Sequence, residues 1–255
     1  MTIEIDHITQ AYDIPHGAPL TVLDDINLFI KEGDFIIILG QSGCGKSTLL
    51  DLIAGLTCPS KGEIRIHGVK VTSPHPRTFT VFQEPELLPW LNVEENIAFG
   101  CRLRGETADL AYRVNEFIEI IGLSGFERHR PNELSVGMQL RVSLARALIG
   151  RPKILLMDEP FGSLDTFTRS HLQEELTNIW LSEKFTVVFV THDIDEAILL
   201  GTKIVLLGGR PSCIKSIEEI HFNYPRKTTD EAFFHKRRTV MQKFKECLVE
   251  KNNIG

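Results

Sequence analysis

A glycine-rich segment, GQSGCGKST at residues 40–48, combines the residue types that bind phosphate groups. Its three glycines allow a tight turn in which several backbone N–H groups converge on one anion. Lys46 adds a positive charge, and the Ser47 hydroxyl is a suitable ligand for Mg²⁺. The segment predicts binding of a nucleoside triphosphate with its magnesium ion, through Gly40, Gln41, Ser42, Gly43, Cys44, Gly45, Lys46, Ser47 and Thr48.

Two carboxylates, Asp158 and Glu159, follow the apolar run KILLM at residues 153–157. Ligands of open α/β sheets bind at the carboxyl ends of the strands, which places both side chains near the phosphate-binding segment. We therefore expect Asp158 to hold Mg²⁺ and Glu159 to orient and deprotonate a water molecule. A functionless acidic turn is the alternative, and the phosphate-binding segment upstream argues against it.

Two further polar residues follow strand-like runs in the same way. Gln83 comes after TFTVF, and His192 comes after FTVVFVT. One polar residue at a strand end is unremarkable, but several such ends meeting in one pocket indicate a shared site. We expect His192 to donate a hydrogen bond to the terminal phosphate and Gln83 to bind Mg²⁺ or the attacking water.

A third candidate region is NELSVGMQLRVSLARALIG, residues 132–150. The apolar positions 140, 144, 147 and 148 have the spacing of a helix that faces a core, so Ser135 lies where such a helix begins. A serine and a glycine at this place, Ser135 and Gly137, either cap the helix or bind an anion with its N-terminal N–H groups. The sequence leaves both readings open at this point.

The elements that must position these residues alternate along the chain. Strand-like runs (MTIEIDHI, NLFI, DFIIILG) precede a helical run (KSTLLDLIAG), and two short strands follow. From about residue 92 to 150 the periodicity is helical, and Asn92 with Glu95 resembles a capping box. Strands and helices then alternate again, which predicts a mainly parallel sheet covered on both faces, with a helical lobe inserted into it.

The composition excludes several classes of protein. The chain has 255 residues, 42% of them hydrophobic, and a formal net charge of −6, which disfavours a dedicated nucleic-acid binder. Its apolar runs are too short to span a bilayer. Its first residues lack the basic start, apolar stretch and cleavage site of a signal peptide, so we expect no secretion. The five cysteines are scattered without a C-x-x-C pair, which favours a reducing cytosol over a disulfide framework or a zinc site.

Taken in order, six motifs resemble those of the ATP-binding subunits of ABC transporters, over residues 3–222. They are the phosphate loop 40–48, Gln83, LSVGMQ at 134–139, ILLMDEP at 154–160, GSLD at 162–165 and TH at 191–192. The resemblance implies an α/β phosphate-loop NTPase core, a mainly parallel sheet with an antiparallel β part, plus an inserted α-helical lobe. The implied bounds are about 3–84 and 152–222 for the core, about 85–151 for the lobe and 223–255 for a helical C-terminal tail.

The same resemblance implies that two subunits stack head to tail, as a homodimer. Each ATP then lies between the phosphate loop of one chain and the signature of the other, where Ser135 and Gly137 contact the γ-phosphate. Tyr12 is expected to stack on the adenine, and Ser163 and Asp165 are expected to contact the opposing subunit.

The segments ELLPWLNVEENIAFGCRLRG (86–105), FGSLDTFTR (161–169) and YPR (224–226) resemble importers of the nitrate, sulfonate, taurine and bicarbonate group. This implies an integral-membrane permease, contacted by residues 83–91 of the lobe. It also implies a periplasmic or lipid-anchored solute-binding protein as an indirect partner, no nucleic acid, and a peripheral location on the cytoplasmic face of a bacterial-type membrane. Alternatives are a soluble ABC ATPase of the repair or translation type, or a weakly active cassette.

The weakly active alternative rests on Val136, because the family usually has glycine at this position. A left-handed backbone there would cost valine about 1–3 kcal/mol. We therefore expect Val136 to slow hydrolysis or to weaken dimer closure without abolishing function.

Overall fold

We describe residues 2–15 and 17–249 in a computed structural model of the chain. The described residues form a single sheet of ten strands. The strands are β1 (Ile3–Tyr12), β2 (Leu20–Ile30), β3 (Phe35–Leu39), β4 (Lys61–Ile66), β5 (Val69–Lys70), β6 (Thr78–Val81), β7 (Ile154–Asp158), β8 (Thr186–Thr191), β9 (Lys203–Gly209) and β10 (Ser212–Glu219).

The sheet has a parallel half and an antiparallel half. Its strand order is β5-β4-β1-β2-β10-β9-β3-β8-β7-β6, and the five strands from β9 to β6 are parallel. β1 pairs antiparallel with β2 and β4, and β10 joins the halves by pairing antiparallel with β9 and parallel with β2. This mixed sheet confirms the predicted α/β core with an antiparallel part.

The described residues also form seven α-helices. They are α1 (Lys46–Ala54), α2 (Val93–Leu103), α3 (Leu110–Ile120), α4 (Val136–Leu148), α5 (Thr166–Glu183), α6 (Ile194–Leu200) and α7 (Glu231–Val249). Because side chains alternate along a strand, Ile36 and Ile38 of β3 share one cluster with α1, whereas Phe35 and Ile37 share another with α5. All five residues of β3 are fully buried, as expected for a strand covered on both faces.

The segment between β6 and β7 contains α2, α3 and α4, as predicted for the inserted lobe. The capping box is confirmed, since Glu95 N donates to Asn92 Oδ1 (2.8 Å) and Asn92 N donates to Glu95 Oε2 (3.0 Å). The apolar stripe of α4 is also confirmed: Leu140, Leu144, Ala147 and Leu148 are all buried. Leu144, Ala147 and Leu148 of α4 belong to the core cluster that also contains residues of β3. Because the helical segment and the sheet share this cluster, the bounds between lobe and core remain a prediction.

Strands β5 and β10 were not predicted, and only the end of β2 was. β10 alternates weakly, because serine, cysteine and lysine interrupt its isoleucines, and its register comes from the antiparallel pairing with β9. The tail contains α7, which buries Phe233 and Val240, while residues 250–255 of that prediction lie outside the described residues. No helix within residues 2–15 and 17–249 is long and apolar enough to cross a membrane.

Candidate nucleotide-binding and hydrolysis site

Residues 40–45 form a tight loop between β3 and α1, and residues 46–48 begin α1. Gly45 has φ 90°, and a Cβ there would lie 2.8 Å from Val22 Cγ1, so this position requires glycine for both its backbone and its surroundings. Gly45 also has no side chain to cap α1, which leaves the first N–H groups of that helix for an anion. The loop therefore has the form of a phosphate cradle.

Three of the predicted residues come together beside this loop. Lys46 is only 5% exposed, and its Nζ donates to Gln41 O at 3.0 Å. The same Nζ lies 3.6 Å from Glu159 Oε1, and Glu159 Oε2 lies 3.0 Å from His192 Nδ1. The carboxylate of Glu159 thus bridges the loop lysine and the histidine that follows β8.

The backbone of Glu159 is held in an unusual conformation. Its φ is 45°, and its N–H donates to Val190 O of β8 at 3.0 Å. A left-handed conformation costs a residue other than glycine about 1–3 kcal/mol, and such strain is concentrated at functional sites. This conformation occurs directly after Asp158, the last residue of β7.

Two of the three groups predicted to hold Mg²⁺, Ser47 and Asp158, meet at the start of α1. Burial raises the pKa of the Asp158 carboxyl above its usual value, and a hydrogen bond with Ser47 and the charge of Lys46 oppose this rise. A hydroxyl bonded to a partly buried carboxylate is the oxygen set that Mg²⁺ prefers, so these residues fit the ion. Gln83 is exposed and follows β6, the neighbour of β7, at the same edge of the sheet.

Asp51 also belongs to this region and was not predicted as a site residue. Burial raises the pKa of its carboxyl, and the nearby charge of Asp158 raises it further. The available signal was its spacing, because residues four apart on a helix share a face and Asp51 lies four positions after Ser47. A second carboxylate near Asp158 increases the negative charge that a cation would neutralise.

Three other predicted residues lie outside this cluster. Tyr12 is at the end of β1, in the antiparallel half, and is 42% exposed. Ser135 and Gly137 lie at the start of α4, where a Cβ on Gly137 would come 3.2 Å from Leu164 Cδ2. The signature therefore lies beside residues 162–165 of the same chain, and its contact with a nucleotide remains a prediction.

The expected strain at Val136 is absent. Ser135 is the N-cap of α4, and its Oγ accepts from Met138 N at 3.3 Å, so the reading of this serine as a cap is confirmed. Val136 is the first residue of α4 and is not among the described residues with positive φ, so valine has no left-handed conformation to adopt. The cost expected for a left-handed backbone does not arise, because the position is helical, and an effect of Val136 on hydrolysis stays a prediction.

Asp165 also has a role within its own chain. Its Oδ1 accepts from Phe167 N and Thr168 N, both at 3.1 Å, which caps α5. Phe167, in the first turn of this helix, is 89% exposed. Contact of Ser163 and Asp165 with an opposing subunit remains a prediction.

The YPR segment anchors α6, the helix that follows His192. Arg226 Nη1 donates to Ile198 O (2.7 Å) and Gly201 O (2.6 Å), and Tyr224 Oη donates to Leu200 O (2.5 Å). These bonds satisfy carbonyls at the end of α6 that have no partner within the helix. Burial raises the pKa of Tyr224 to about 12, so the phenol keeps the proton that it donates. The YPR segment thus helps to fix the position of the helix that follows His192.

Two further residues without a sequence signal hold the segment 83–91. Asn96 is fully buried, and its amide bonds to Leu88 N (2.9 Å), Leu88 O (3.2 Å) and Leu91 O (3.0 Å). Arg146 Nη1 donates to Glu86 O at 3.0 Å. Leu87 packs against the core, whereas Trp90 is 65% exposed.

Glu196, on α6, should make the protein less stable as the pH rises. Burial raises the pKa of its carboxyl above the ordinary 4.5, although hydrogen bonds with Thr191 and Gln173 oppose the rise. Such a carboxyl stabilises the fold below its unfolded pKa, and this contribution is lost as the pH rises through the folded pKa. Urea unfolding between pH 4.5 and about 8 should therefore show a smaller loss of stability for Glu196→Gln than for the wild type. Equal losses in both proteins would contradict this cause.

Comparisons with known proteins agree with this geometry. The family model described as "ABC transporter" matches residues 23–162. The chain is 48% identical over 244 residues to the aliphatic sulfonates import ATP-binding protein SsuB of Bacillus cereus, covering 96% of each. It is 45% identical to SsuB of Bacillus subtilis, over 96% of this chain and 95% of that protein. It is 45% identical to the nitrate import ATP-binding protein NrtC of Synechococcus elongatus, over 88% of this chain and 35% of that protein.

Two solved structures have the same fold. A dimeric structure of the ATP-binding cassette MJ0796 in a post-hydrolysis state, bound to ADP and Pi, superposes with a TM-score of 0.77 at 31% identity. Another dimeric structure of MJ0796 superposes with a TM-score of 0.79 at 32% identity, and each alignment covers 87% of this chain and 100% of that one. With this fold, the family match and a phosphate cradle beside Lys46, Glu159 and His192, the chain belongs to the ABC transporter family as an ATP-binding, ATP-hydrolysing subunit.

Proposed function

We propose that this chain energises an importer of aliphatic sulfonates by binding and hydrolysing ATP. The observation that carries the ATPase part is the contact of Glu159 with both Lys46 (3.6 Å) and His192 (3.0 Å). The choice of solute is supported by the identity of 45–48% to the SsuB proteins of Bacillus cereus and Bacillus subtilis over nearly the whole chain.

The chemistry follows from the groups around the loop. Backbone N–H groups of the loop and the Lys46 ammonium bind the phosphates of ATP. Glu159 orients the attacking water and accepts its proton, and His192 donates a hydrogen bond to the γ-phosphate. Ser47, Asp158 and Gln83 would hold Mg²⁺, which when bound neutralises charge that develops on the phosphate oxygens.

A second copy of the chain completes the site in this proposal. The dimers of the related cassette MJ0796 support such an arrangement. Ser135, Gly137 and the N-terminus of α4 would face the γ-phosphate held by the opposing chain, since a helix N-terminus favours an anion. Tyr12 would stack on the adenine. A single species of chain suffices, so we propose a homodimer.

The permease partner would dock on the segment 83–91. Asn96 and Arg146 fix the backbone of this segment, while Trp90 presents an apolar ring to the surroundings. A fixed backbone with an exposed aromatic side chain suits a protein interface, in which such residues commonly anchor binding. The subunit would then lie on the cytoplasmic face of the membrane, and a periplasmic or lipid-anchored solute-binding protein would be an indirect partner.

Uptake measurements test the solute. In cells that carry this gene, deletion should abolish uptake of labelled ethanesulfonate, and the wild-type gene should restore it while Glu159→Gln should not. Nitrate import is the second candidate, favoured by the 45% identity to NrtC. Loss of nitrate uptake with unchanged ethanesulfonate uptake would replace the sulfonate proposal by that one.

A further inference from the structure

The end of the C-terminal helix α7 lies beside the phosphate loop. A cavity of about 20 Å³ is lined by the loop residues 41–44, the end of β9 with its turn at 207–210, and Cys247 of α7. A Cβ placed on Gly208 would lie 3.0 Å from Cys247 Cβ, so the absence of a side chain at 208 permits this approach. The space is about the size that holds one water molecule.

Two thiol residues therefore line one small space. Cys44, in the phosphate loop, is 8% exposed, and its Sγ lies 2.6 Å from where a Cβ of Gly40 would be. Cys247 is half-buried, which makes it the more accessible of the two. A third cysteine, Cys213, directs its Sγ towards Gly208 O at 3.9 Å and does not line the cavity, so it provides a matched control.

Ion pairs and apolar contacts hold α7 against the sheet up to this point. Glu218 of β10 accepts from Lys236 Nζ (3.1 Å) and from Lys243 Nζ. Val240, between these lysines in the sequence, is fully buried. The position of Cys247, one turn after Lys243, is thus set by packing on β9 and β10.

We propose that Cys44 and Cys247 are a modification site, a thiol pair that forms a reversible disulfide and blocks nucleotide binding; this inference rests on the proposed ATPase function. A low-molecular-weight disulfide such as oxidised glutathione is the oxidant. The Cys247 thiolate attacks it and releases one glutathione, and the Cys44 thiolate then attacks the Cys247 sulfur and releases the second. The two protein thiols lose two electrons and two protons, and oxidised glutathione is reduced to two glutathione molecules.

The disulfide would interfere with ATP because Cys44 belongs to the phosphate cradle. A disulfide holds its two Cα atoms about 4.4–6.8 Å apart, which ties the backbone of the loop to α7. The loop has little freedom to adjust to such a link with α7, because Cys44 already packs closely against Gly40. In a reducing cytosol such a bond would be transient and regulatory.

Oxidation of the full-length protein tests the pair. Reduced wild-type protein is measured first for ATP binding by calorimetry, then treated with oxidised glutathione. We expect a Cys44–Cys247 linked peptide by mass spectrometry, a loss of ATP affinity of at least about tenfold, and recovery with dithiothreitol. Cys247→Ser and Cys247→Ala should keep their affinity under oxidation, whereas Cys213→Ser should respond like the wild type.

Several results would overturn the inference. One is the absence of the linked peptide, and another is a linked peptide with unchanged ATP affinity. Equal sensitivity of Cys247→Ser would assign the effect to Cys44 alone. Failure of the reduced wild-type protein to bind ATP would instead contradict the proposed function, and the linked peptide would still decide whether the thiol pair exists.

Discussion

Replacing Glu159 by glutamine should lower the rate of ATP hydrolysis by about 10²–10⁴-fold, the usual contribution of a general base, while ATP still binds. Glutamine has nearly the shape of glutamate and keeps an oxygen that can accept from His192, but it cannot take a proton from water. The measurement is phosphate release in a single turnover, together with ATP affinity by calorimetry.

A matched control is available in the same chain. Glu196→Gln makes the same chemical change to a carboxyl that bonds Gln173 (2.9 Å) on α5 instead of Lys46. It should hydrolyse ATP at close to the wild-type rate, because Glu196 lies outside the cluster. Hydrolysis at the wild-type rate by Glu159→Gln would remove Glu159 from the role of base.

Replacing Lys46 by alanine should weaken ATP binding by about 10–100-fold, since hydrogen bonds to charged groups contribute about 1.5–3 kcal/mol each. The change removes the cation of the cradle, the bond to Gln41 O at 3.0 Å, and the partner of Glu159. Equilibrium binding of ATP measures the effect, and thermal unfolding shows whether the variant is folded.

Lys203→Ala is the control for this second prediction. Lys203 pairs with Asp34 at 2.9 Å, away from the loop, so its loss should leave ATP affinity unchanged. Two results would contradict the role of Lys46: wild-type affinity in Lys46→Ala, or an equal loss of affinity in both variants.

The residues of the phosphate loop were predictable because nine consecutive residues form it. Its requirements are local: glycine where φ is positive, as at Gly43 and Gly45, and a helix that begins at Lys46. The caps of α2 and α4 were predictable for the same reason, since Asn92 and Ser135 bond to residues three positions away. Local rules of this kind can be read from one sequence.

The strand order was not predictable in the same way. β3 lies next to β8, although more than 100 residues separate these two strands in the sequence. β8 in turn lies next to β7. Only this order brings Lys46, Glu159 and His192 within reach of one another. The pairing of β10 with β2 likewise joins strands that are distant in the sequence, whereas β9 and β10 are consecutive strands that form a hairpin.

By itself, the sequence determined the alternation of strands and helices, the phosphate loop and the polar residues at the strand ends, because each depends on neighbours within a few positions. Only the tertiary structure decided that Asp51 lies near Asp158, that Asn96 and Arg146 fix the segment 83–91, and that Cys247 lies beside the phosphate loop. The physical reason is that burial and long-range contacts are set by how whole elements pack, and the spacing of residues along one chain does not record them.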